Sequence, residues 1–195
     1  MSDFRSLVQA FIPTPYGNYT MHAFPNDSQP ENPHLAMIST NPLPEIPLVR
    51  IHSECCTGDV FSSMRCDCGE QLQQAMELIG RQGGILIYLR QEGRGIGLLD
   101  KLRAYKMQEE GLDTVEANEK LGHPADGRKY QIAADILISL RIQHIRLITN
   151  NPAKIEAMSA AGIEVTSRIP LITPTHEDNA RYMQIKKSKL GHLLD

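Results

Sequence analysis

Hydrophobic positions after Gly69 first follow a helical and then a strand spacing. Apolar residues recur every three or four positions, at Leu72, Ala75, Met76 and Ile79. This spacing predicts a helix that ends at Gly83-Gly84. The continuous apolar run ILIYL, residues 85–89, has the length of a buried strand.

The same alternation continues toward the carboxyl end of the chain. It predicts helices over residues 96–110 and 130–140, and a third helix from the Asn150-Asn151-Pro152 turn to Ala161. It also predicts strands over residues 145–149 and 163–169. Glycines at positions 111 and 162 end two of these helices. Alternating strands and helices are typical of an α/β protein.

The first fifty residues have a different pattern, because prolines interrupt them repeatedly. The prolines are Pro13, Pro15, Pro25, Pro30, Pro33, Pro42, Pro44 and Pro47. Short apolar segments between them, over residues 19–24, 35–38 and 48–51, indicate strands and loops rather than helices. We therefore expect an α/β fold in a single domain, with a mixed β-sheet flanked by helices.

Length and composition limit the protein class. A chain of 195 residues suits one domain over residues 1–195, and we expect residues 186–195 to form a mobile tail. A net charge of -3 indicates no nucleic-acid or membrane partner, and no apolar run approaches the roughly 20 residues of a membrane helix. The first residues lack a secretory pattern, so we expect a cytoplasmic protein with reduced thiols.

All four cysteines lie within the stretch HSECCTGDVFSSMRCDC, residues 52–68. In a reducing compartment such a cluster favours metal binding over disulfides. Cys55, Cys66 and Cys68 could bind zinc and leave its fourth position to water, as in a catalytic site. Cys56 is less suited, because neighbouring residues of an extended segment face opposite ways. A closed structural site completed by His52 or Cys56, or simply buried thiols, are the alternatives.

Three further stretches carry groups that could bind a phosphate-containing ligand. RQEGRGIGLLDKLRAY, residues 90–105, places Arg94 in a glycine-rich strand-to-helix turn, although such a turn is often only structural. Asp126 and Arg128 form either a solvated ion pair or a proton acceptor beside an anion-binding group. Thr149 at a strand end and Lys154 in the next helical turn could also hold a phosphate.

Together these stretches resemble the GTP cyclohydrolase II family of riboflavin biosynthesis. The resemblance runs from PTPYGNY, residues 13–19, to KLGHLL, residues 189–194, and is densest in RIHSECCTGD, RCDCG, RQEGRGIGL, DTVEAN and TNNP. It implies a hydrolase that opens the imidazole ring of GTP at C8 and releases formate and pyrophosphate. The product would be 2,5-diamino-6-(5-phosphoribosylamino)pyrimidin-4-one. The family also occurs fused to a 3,4-dihydroxy-2-butanone 4-phosphate synthase domain, but we expect this chain to be monofunctional.

The resemblance also implies a set of site residues. Cys55, Cys66 and Cys68 match the ligands of one zinc ion per subunit, and Mg²⁺ would accompany the triphosphate. The matching GTP contacts are Arg50, Ile51, His52, Ser53, Glu54, Gln71, Glu92, Gly93, Arg94, Thr114, Thr149 and Lys154. Glu92 could accept hydrogen bonds from the guanine edge, which would reject ATP. The resemblance further implies a homodimer.

Three matching residues would take part in catalysis: Asp126, Arg128 and Tyr105. Asp126 matches a proton acceptor, and Arg128 matches a nucleophile toward the α-phosphate. Stabilising phosphoryl charge is the commoner work of an arginine. Tyr105 matches a tyrosine near the reacting ring, with a core tyrosine as its alternative. Two other functions stay open: a guanine-nucleotide sensor with a structural zinc, and an enzyme that stops at an early intermediate.

Overall fold

The computed structural model describes residues 4–189 and 191–194, and a seven-stranded sheet organises them. The strands are β1 (Val8–Thr14), β2 (Gly17–Phe24), β3 (His34–Ser39), β4 (Leu48–Ser53), β5 (Gly84–Leu89), β6 (His144–Ile148) and β7 (Glu164–Ile169). Their spatial order is β1-β2-β3-β5-β4-β6-β7. Strands β1, β2, β3 and β5 pair antiparallel, whereas β5, β4, β6 and β7 pair parallel. The predicted mixed sheet is confirmed.

Helices cover this sheet and line its ends. They are α1 (Cys56–Asp59), α2 (Cys68–Gln82), α3 (Gly97–Glu109), α4 (Thr114–Lys120), α5 (Gln131–Ser139), α6 (Pro152–Ala160) and α7 (Ala180–Ser188). A 3-10 turn, Glu92–Gly95, joins β5 to α3. The helices predicted at α2, α3, α5 and α6 are confirmed, with ends that differ by one or two residues. The prediction did not include β1, α1, α4 or α7.

The core lies on the two faces of the central parallel strands. Val49 and Ile87 belong to a buried cluster with residues of α5 and α6, whereas Leu48 and Leu86 belong to a second cluster with residues of α2. Neighbouring residues of a strand point to opposite faces, so each central strand supplies side chains to both clusters. Among the described helices, none is long and apolar enough to span a membrane.

The carboxyl-terminal segment contacts the body of the protein. Lys186, in α7, is buried, and the backbone N–H of Leu193 donates to the carbonyl of Asn150 at 2.8 Å. Residues 190 and 195 of the predicted mobile tail, 186–195, lie outside the described residues. The mobility of that tail stays a prediction.

Candidate metal centre and the adjoining clefts

The candidate site lies where three parallel strands end. Strand β4 leads into Cys55 and α1, β5 leads into the 3-10 turn, and β6 leads into Thr149 and α6. Parallel neighbours β4, β5 and β6 carry their carboxyl ends to the same edge of the sheet. Ligands of open α/β sheets bind at this edge.

The sulfur atoms of Cys55, Cys66 and Cys68 lie within 4.8 Å of one another. The Sγ atoms of Cys55 and Cys66 are 3.7 Å apart. Two sulfurs bound to zinc at about 2.3 Å in tetrahedral geometry would lie about 3.8 Å apart, so the cluster fits a zinc ion. Among the described residues this metal-ligand group contains the three cysteines and no further His, Cys, Asp or Glu.

Two glycines allow the elements around the sulfurs to approach closely. A Cβ atom at Gly58 in α1 would lie 3.1 Å from Cys66 Sγ and 3.2 Å from Cys55 Sγ. A Cβ atom at Gly69 in α2 would lie 2.4 Å from the carbonyl oxygen of Gly58. The contact at Gly69 would force the backbone to shift, and the contacts at Gly58 would push the sulfurs away by a few tenths of an ångström. The absence of side chains at these two positions therefore shapes the sulfur cradle.

Lys101 supplies a positive charge to the cysteine cluster. Its ammonium lies 3.1 Å from Cys55 Sγ and 2.9 Å from Glu92 Oε1. Hydrogen bonds from the Cys66 and Cys68 thiols, together with the charge of Lys101, lower the pKa of the Cys55 thiol. A nearby cation favours the thiolate form that binds metal. The sequence analysis missed Lys101, because no motif spacing links a residue of α3 to the cysteines.

His52 supports the cysteine loop instead of joining the sulfur cluster. Its Nε2 atom lies 3.0 Å from Asp59 Oδ1, and its ring stacks on Tyr88 at 5.5 Å between centroids. The Asp59 carboxylate also accepts hydrogen bonds from the Tyr88 hydroxyl at 2.8 Å and from the Cys55 N–H at 2.9 Å. The closed site completed by His52 is therefore not the arrangement in this structure.

A cleft of about 370 Å³ opens beside the sulfurs. Its lining includes the predicted residues Ser53, Glu54, Glu92, Gly93, Arg94, Tyr105, Thr114 and Arg128 as well as the three cysteines. Burial raises the pKa of Tyr105, and the Arg65 guanidinium lies 4.9 Å from its ring centroid. We call this space the larger cleft, because it is larger than the pocket described next.

A second, smaller space of about 60 Å³ adjoins the larger cleft, and we call it the basic pocket. Five of its lining residues have basic side chains: Arg50, Arg94, Arg128, Lys154 and Lys186. Gln71 and Thr149 also line it. The buried atoms Arg50 Nε, Arg94 Nη1 and Ser53 Oγ have no hydrogen-bond partner within the described part of the chain. Buried donors are normally paired, so this arrangement suits an anionic ligand.

The larger cleft and the basic pocket adjoin each other and share five lining residues. Ser53, Cys68, Arg94, Arg128 and Tyr182 line each of the two spaces. A ligand could therefore place one end beside the sulfurs and an anionic end among the basic side chains.

Asp126 and Arg128 form a bidentate ion pair at the edge of this site. The Arg128 side chain is only 12% exposed, and its Nε atom donates to Asp126 Oδ1 at 2.8 Å. Burial opposes the charge of Arg128, but hydrogen bonds to Asp126 raise its pKa above the usual arginine value. Despite burial, the same hydrogen bonds lower the pKa of Asp126. The pair is therefore ionised, and Asp126 is a weak base in this state.

The remaining predicted residues differ in what they offer a ligand. Of all the predicted site residues, Ile51 and Asp126 line neither space. The carbonyl of Ile51 accepts a hydrogen bond from Lys154 Nζ at 2.7 Å. Glu54 pairs with Arg90 at 2.8 Å. The Glu92 carboxylate accepts from Lys101, from the Gly93 N–H at 2.7 Å and from the Cys56 N–H at 2.5 Å.

Comparison with known proteins identifies clear relatives. The family model described as GTP cyclohydrolase II matches residues 5–170. A riboflavin biosynthesis protein RibBA from Bacillus mycoides is 56% identical over 190 residues, covering 96% of this chain and 48% of the relative. The RibBA protein of Bacillus cytotoxicus is 54% identical over the same length and with the same coverage. The chain thus spans about half the length of the curated relatives it matches.

One solved structure is also similar in part. It is RibBX, a two-domain 3,4-dihydroxy-2-butanone 4-phosphate synthase from A. baumannii, with 17% sequence identity and a TM-score of 0.47. The match covers 89% of this chain and 41% of the other.

Proposed function

The chain belongs to the GTP cyclohydrolase II family, and on that premise we propose that it is a zinc-dependent GTP cyclohydrolase II. It hydrolyses GTP at imidazole C8, releases formate and pyrophosphate, and yields 2,5-diamino-6-(5-phosphoribosylamino)pyrimidin-4-one. The RibBA relatives are named riboflavin biosynthesis proteins, which supports a role in the first step of that pathway. The observation that carries the proposal is that the cleft beside the sulfur cluster adjoins the basic pocket and shares Cys68 and Arg128 with it.

Cys55, Cys66 and Cys68 would hold the zinc ion. When bound, zinc lowers the pKa of a coordinated water toward about 7 and polarises carbonyl oxygens. Purine C8 is a poor electrophile, so ring opening at neutral pH needs such chemistry. Lys101 offsets part of the negative charge of the three thiolates from 3.1 Å. Hydrogen bonds of this kind tune the properties of a metal site.

The base of GTP would occupy the larger cleft, with Glu92 at the guanine edge. The three donors already bound to Glu92 use three of the roughly four lone-pair sites of a carboxylate. One site on Oε2 is left for a guanine N–H. Adenine presents an acceptor at N1, so ATP would leave this site unpaired and bind less well. Tyr105 lines the same cleft, where its hydroxyl could orient water or donate a proton.

The triphosphate, with its Mg²⁺, would occupy the basic pocket. Arg50, Arg94 and Lys154 would neutralise phosphate oxygens there, and Thr149 would add a hydroxyl at the end of β6. The ionised Asp126–Arg128 pair supports electrostatic stabilisation of the departing pyrophosphate. A guanidinium with a raised pKa is a poorer nucleophile, so we favour this role of Arg128 over covalent attack.

A single incubation tests the proposed reaction. Zinc-loaded protein with GTP and Mg²⁺ should produce formate, pyrophosphate and the diaminopyrimidine in equal amounts, measured by enzymatic formate assay and mass spectrometry. GTP binding without any product would favour a sensor with a structural zinc. A formamide product without formate would favour an enzyme that stops early. Pyrophosphate release without ring opening would contradict the proposal.

We also propose that the protein is a cytoplasmic homodimer, as the family resemblance implies. Light scattering coupled to size exclusion should then give a mass of about 44 kDa, twice the chain mass of 21.8 kDa. A mass of one chain across the micromolar concentration range would contradict the dimer.

A further inference from the structure

The carboxyl-terminal helix α7 forms one wall of the basic pocket. Tyr182 and Lys186 of α7 line the pocket, and so does His192 beyond its end. Two backbone hydrogen bonds hold this segment in place: His192 N–H to the Lys186 carbonyl at 2.9 Å, and Leu193 N–H to the Asn150 carbonyl at 2.8 Å. Neither the family motifs nor the sequence pattern assigned a function to α7.

Lys186 starts a chain of buried hydrogen bonds that ends at Arg50. Its ammonium donates to Asp67 Oδ1 at 2.9 Å and to Asp67 Oδ2 at 2.7 Å. Gln71 Nε2 donates to Asp67 Oδ2 at 2.7 Å. Arg50 Nη2 donates to Gln71 Oε1 at 2.6 Å. The side chains of Lys186 and Asp67 are 6% and 1% exposed, so the ion pair that anchors this chain is shielded from solvent.

This chain of hydrogen bonds fixes the orientation of the Gln71 amide. The amide nitrogen is committed to Asp67, so the amide oxygen must face Arg50. The opposite orientation would place an NH₂ group against a guanidinium, and neither can accept a hydrogen bond from the other. The position of Asp67 therefore decides whether Gln71 can hold Arg50.

Arg50 is in turn held so that its Nε donor is left without a partner among the described residues. Its Nη1 atom donates to the carbonyl of Ile148 at 3.1 Å, and Nη2 is bound to Gln71. The buried Nε atom has no partner within the described residues, and Arg50 lines the basic pocket. Holding a guanidinium in place in advance reduces the entropy that is lost when an anion binds.

We propose that Lys186 is a positioning residue for phosphate binding, acting through Asp67 and Gln71 on Arg50. The inference rests on the proposed function for the identity of the anion, the triphosphate of GTP. Two of the three donors of the Lys186 ammonium are bound to the two oxygens of Asp67, so the proposed action on the anion runs through that pair. Removing it would leave the buried Asp67 carboxylate without its cation, and the orientation of Gln71 would no longer be fixed.

Tripolyphosphate binding to the zinc-loaded full chain tests this inference without requiring turnover. By calorimetry, Lys186→Met should bind tripolyphosphate roughly tenfold to a hundredfold more weakly than wild type, as expected for a hydrogen bond to a charged group. Lys187→Met removes the same charge from the next, exposed residue of α7 and should bind like wild type. With GTP, Lys186→Met should raise KM by a similar factor and change kcat less. Equal affinity of Lys186→Met and wild type would overturn the inference.

A double-mutant cycle with Gln71→Leu separates the two possible modes of action. If Lys186 acts through Gln71, adding Lys186→Met to Gln71→Leu should weaken binding little further. Additive losses would mean that Lys186 acts directly on the anion, and the inference would be wrong. Should Lys186→Met fail to fold or to retain zinc, Gln71→Leu decides alone, since wild-type affinity in that variant would equally overturn the inference.

These outcomes are independent of the proposed reaction. In one outcome, the wild-type protein binds tripolyphosphate in a Lys186-dependent way and releases no formate from GTP. That result would contradict the proposed function and support the role of Lys186. Normal formate release and normal tripolyphosphate affinity in Lys186→Met would support the proposed function and contradict the role of Lys186.

Discussion

Two buried basic residues of the basic pocket, Arg128 and Lys154, are held in different charge states. Hydrogen bonds to Asp126 raise the pKa of Arg128 despite its burial, so Arg128 stays charged. Burial, together with the charges of Arg50, Arg128 and Lys186, lowers the pKa of Lys154 well below its ordinary value. Among the described residues the Lys154 ammonium donates a hydrogen bond to the carbonyl of Ile51, and a neutral carbonyl cannot balance the charge. An incoming phosphate would balance it.

We therefore predict that GTP binding is coupled to proton uptake by Lys154. Above its lowered pKa, Lys154 is neutral in the free protein, and the bound triphosphate raises that pKa again. Within the window between the lowered pKa and the ordinary value of 10.5, affinity should weaken as pH rises, because the free protein must first take up a proton. Calorimetry in buffers of different ionisation enthalpy measures this uptake directly.

The matched control for proton uptake is Lys154→Met, which has no group to protonate at this position. The variant should bind GTP more weakly and lose the buffer dependence that Lys154 causes. If the wild type and this variant show the same proton uptake, another group is responsible and the lowered pKa of Lys154 has no functional consequence.

Arg128→Ala should slow pyrophosphate release by roughly a hundredfold to a thousandfold, as expected when a donor to developing charge is removed. The zinc content should not change, since Arg128 is bound to Asp126 and not to the sulfurs. A pyrophosphate assay measures the rate, and metal analysis of the same sample measures the zinc content. An unchanged rate would mean that the pair only stabilises the local fold.

Cys66→Ser should lose zinc and formate release together, because Cys66 Sγ belongs to the sulfur cluster. We expect less than about 1% of wild-type activity, since a serine hydroxyl is a poor zinc ligand at neutral pH. Cys56→Ser is the control, because the Cys56 side chain lies outside that cluster. Retained formate release in zinc-free Cys66→Ser protein would rule out a role for the metal.

At the scale of elements, strongly patterned segments could be predicted and weakly patterned ones could not. Helix α2 has a clear apolar period and strand β5 is a continuous apolar run, and both were predicted. Strand β1 was missed because it is an edge strand whose residues, such as Phe11, are largely exposed. Helix α7 was missed because its mean hydropathy is low and its apolar face is short.

Helix α4 had a recognisable start in the sequence that was overlooked. The Asp113 side chain accepts hydrogen bonds from the N–H groups of Val115 and Glu116, and the Glu116 side chain accepts from the Asp113 N–H. This reciprocal arrangement is a capping box, and the sequence DTVE is typical of one. Thr114 follows the cap directly, which explains how a residue of a polar stretch is held at the larger cleft.

Only those residues of the candidate site that belong to sequence motifs could be predicted. The spacing of the cysteines predicted a three-sulfur group, and the structure brings those sulfurs together. Lys101 and Lys186 contact the same region from α3 and α7, and both contacts join residues more than forty positions apart. Such contacts depend on how helices pack, which a single sequence does not encode locally.

The approach of α1 to the cysteines gives a prediction at this scale. Gly58→Ala would place a methyl group 3.0 Å from Cys68 Cβ and 3.1 Å from Cys66 Sγ. The sulfurs must then move apart, so zinc affinity should fall by roughly tenfold to a hundredfold, as for other changes that disturb ligand orientation. Competition with a chromogenic chelator measures that affinity. Wild-type affinity would show that the cradle adapts to the extra methyl group.

For the whole molecule, the position of the sulfur cluster relative to the core decides whether the fold needs the metal to be stable. The two buried clusters consist mainly of residues of the sheet, α2, α5 and α6, and neither includes a cysteine among the described residues. A core of this size can form without the metal, unlike that of a zinc finger, whose fold depends on its ion.

Removal of zinc by a chelator should therefore abolish formate release while the protein stays folded. The far-UV circular dichroism should remain native, and thermal unfolding should stay cooperative. The midpoint should fall by about 5–10 °C, because an ion that binds only the native state at a hundred times its Kd adds about 2.7 kcal/mol. Re-addition of zinc should restore activity without a refolding step. A chelated protein that unfolds completely would show instead that the cysteine cluster is a structural site on which the whole sheet depends, and the catalytic interpretation of its open position would lose its main support.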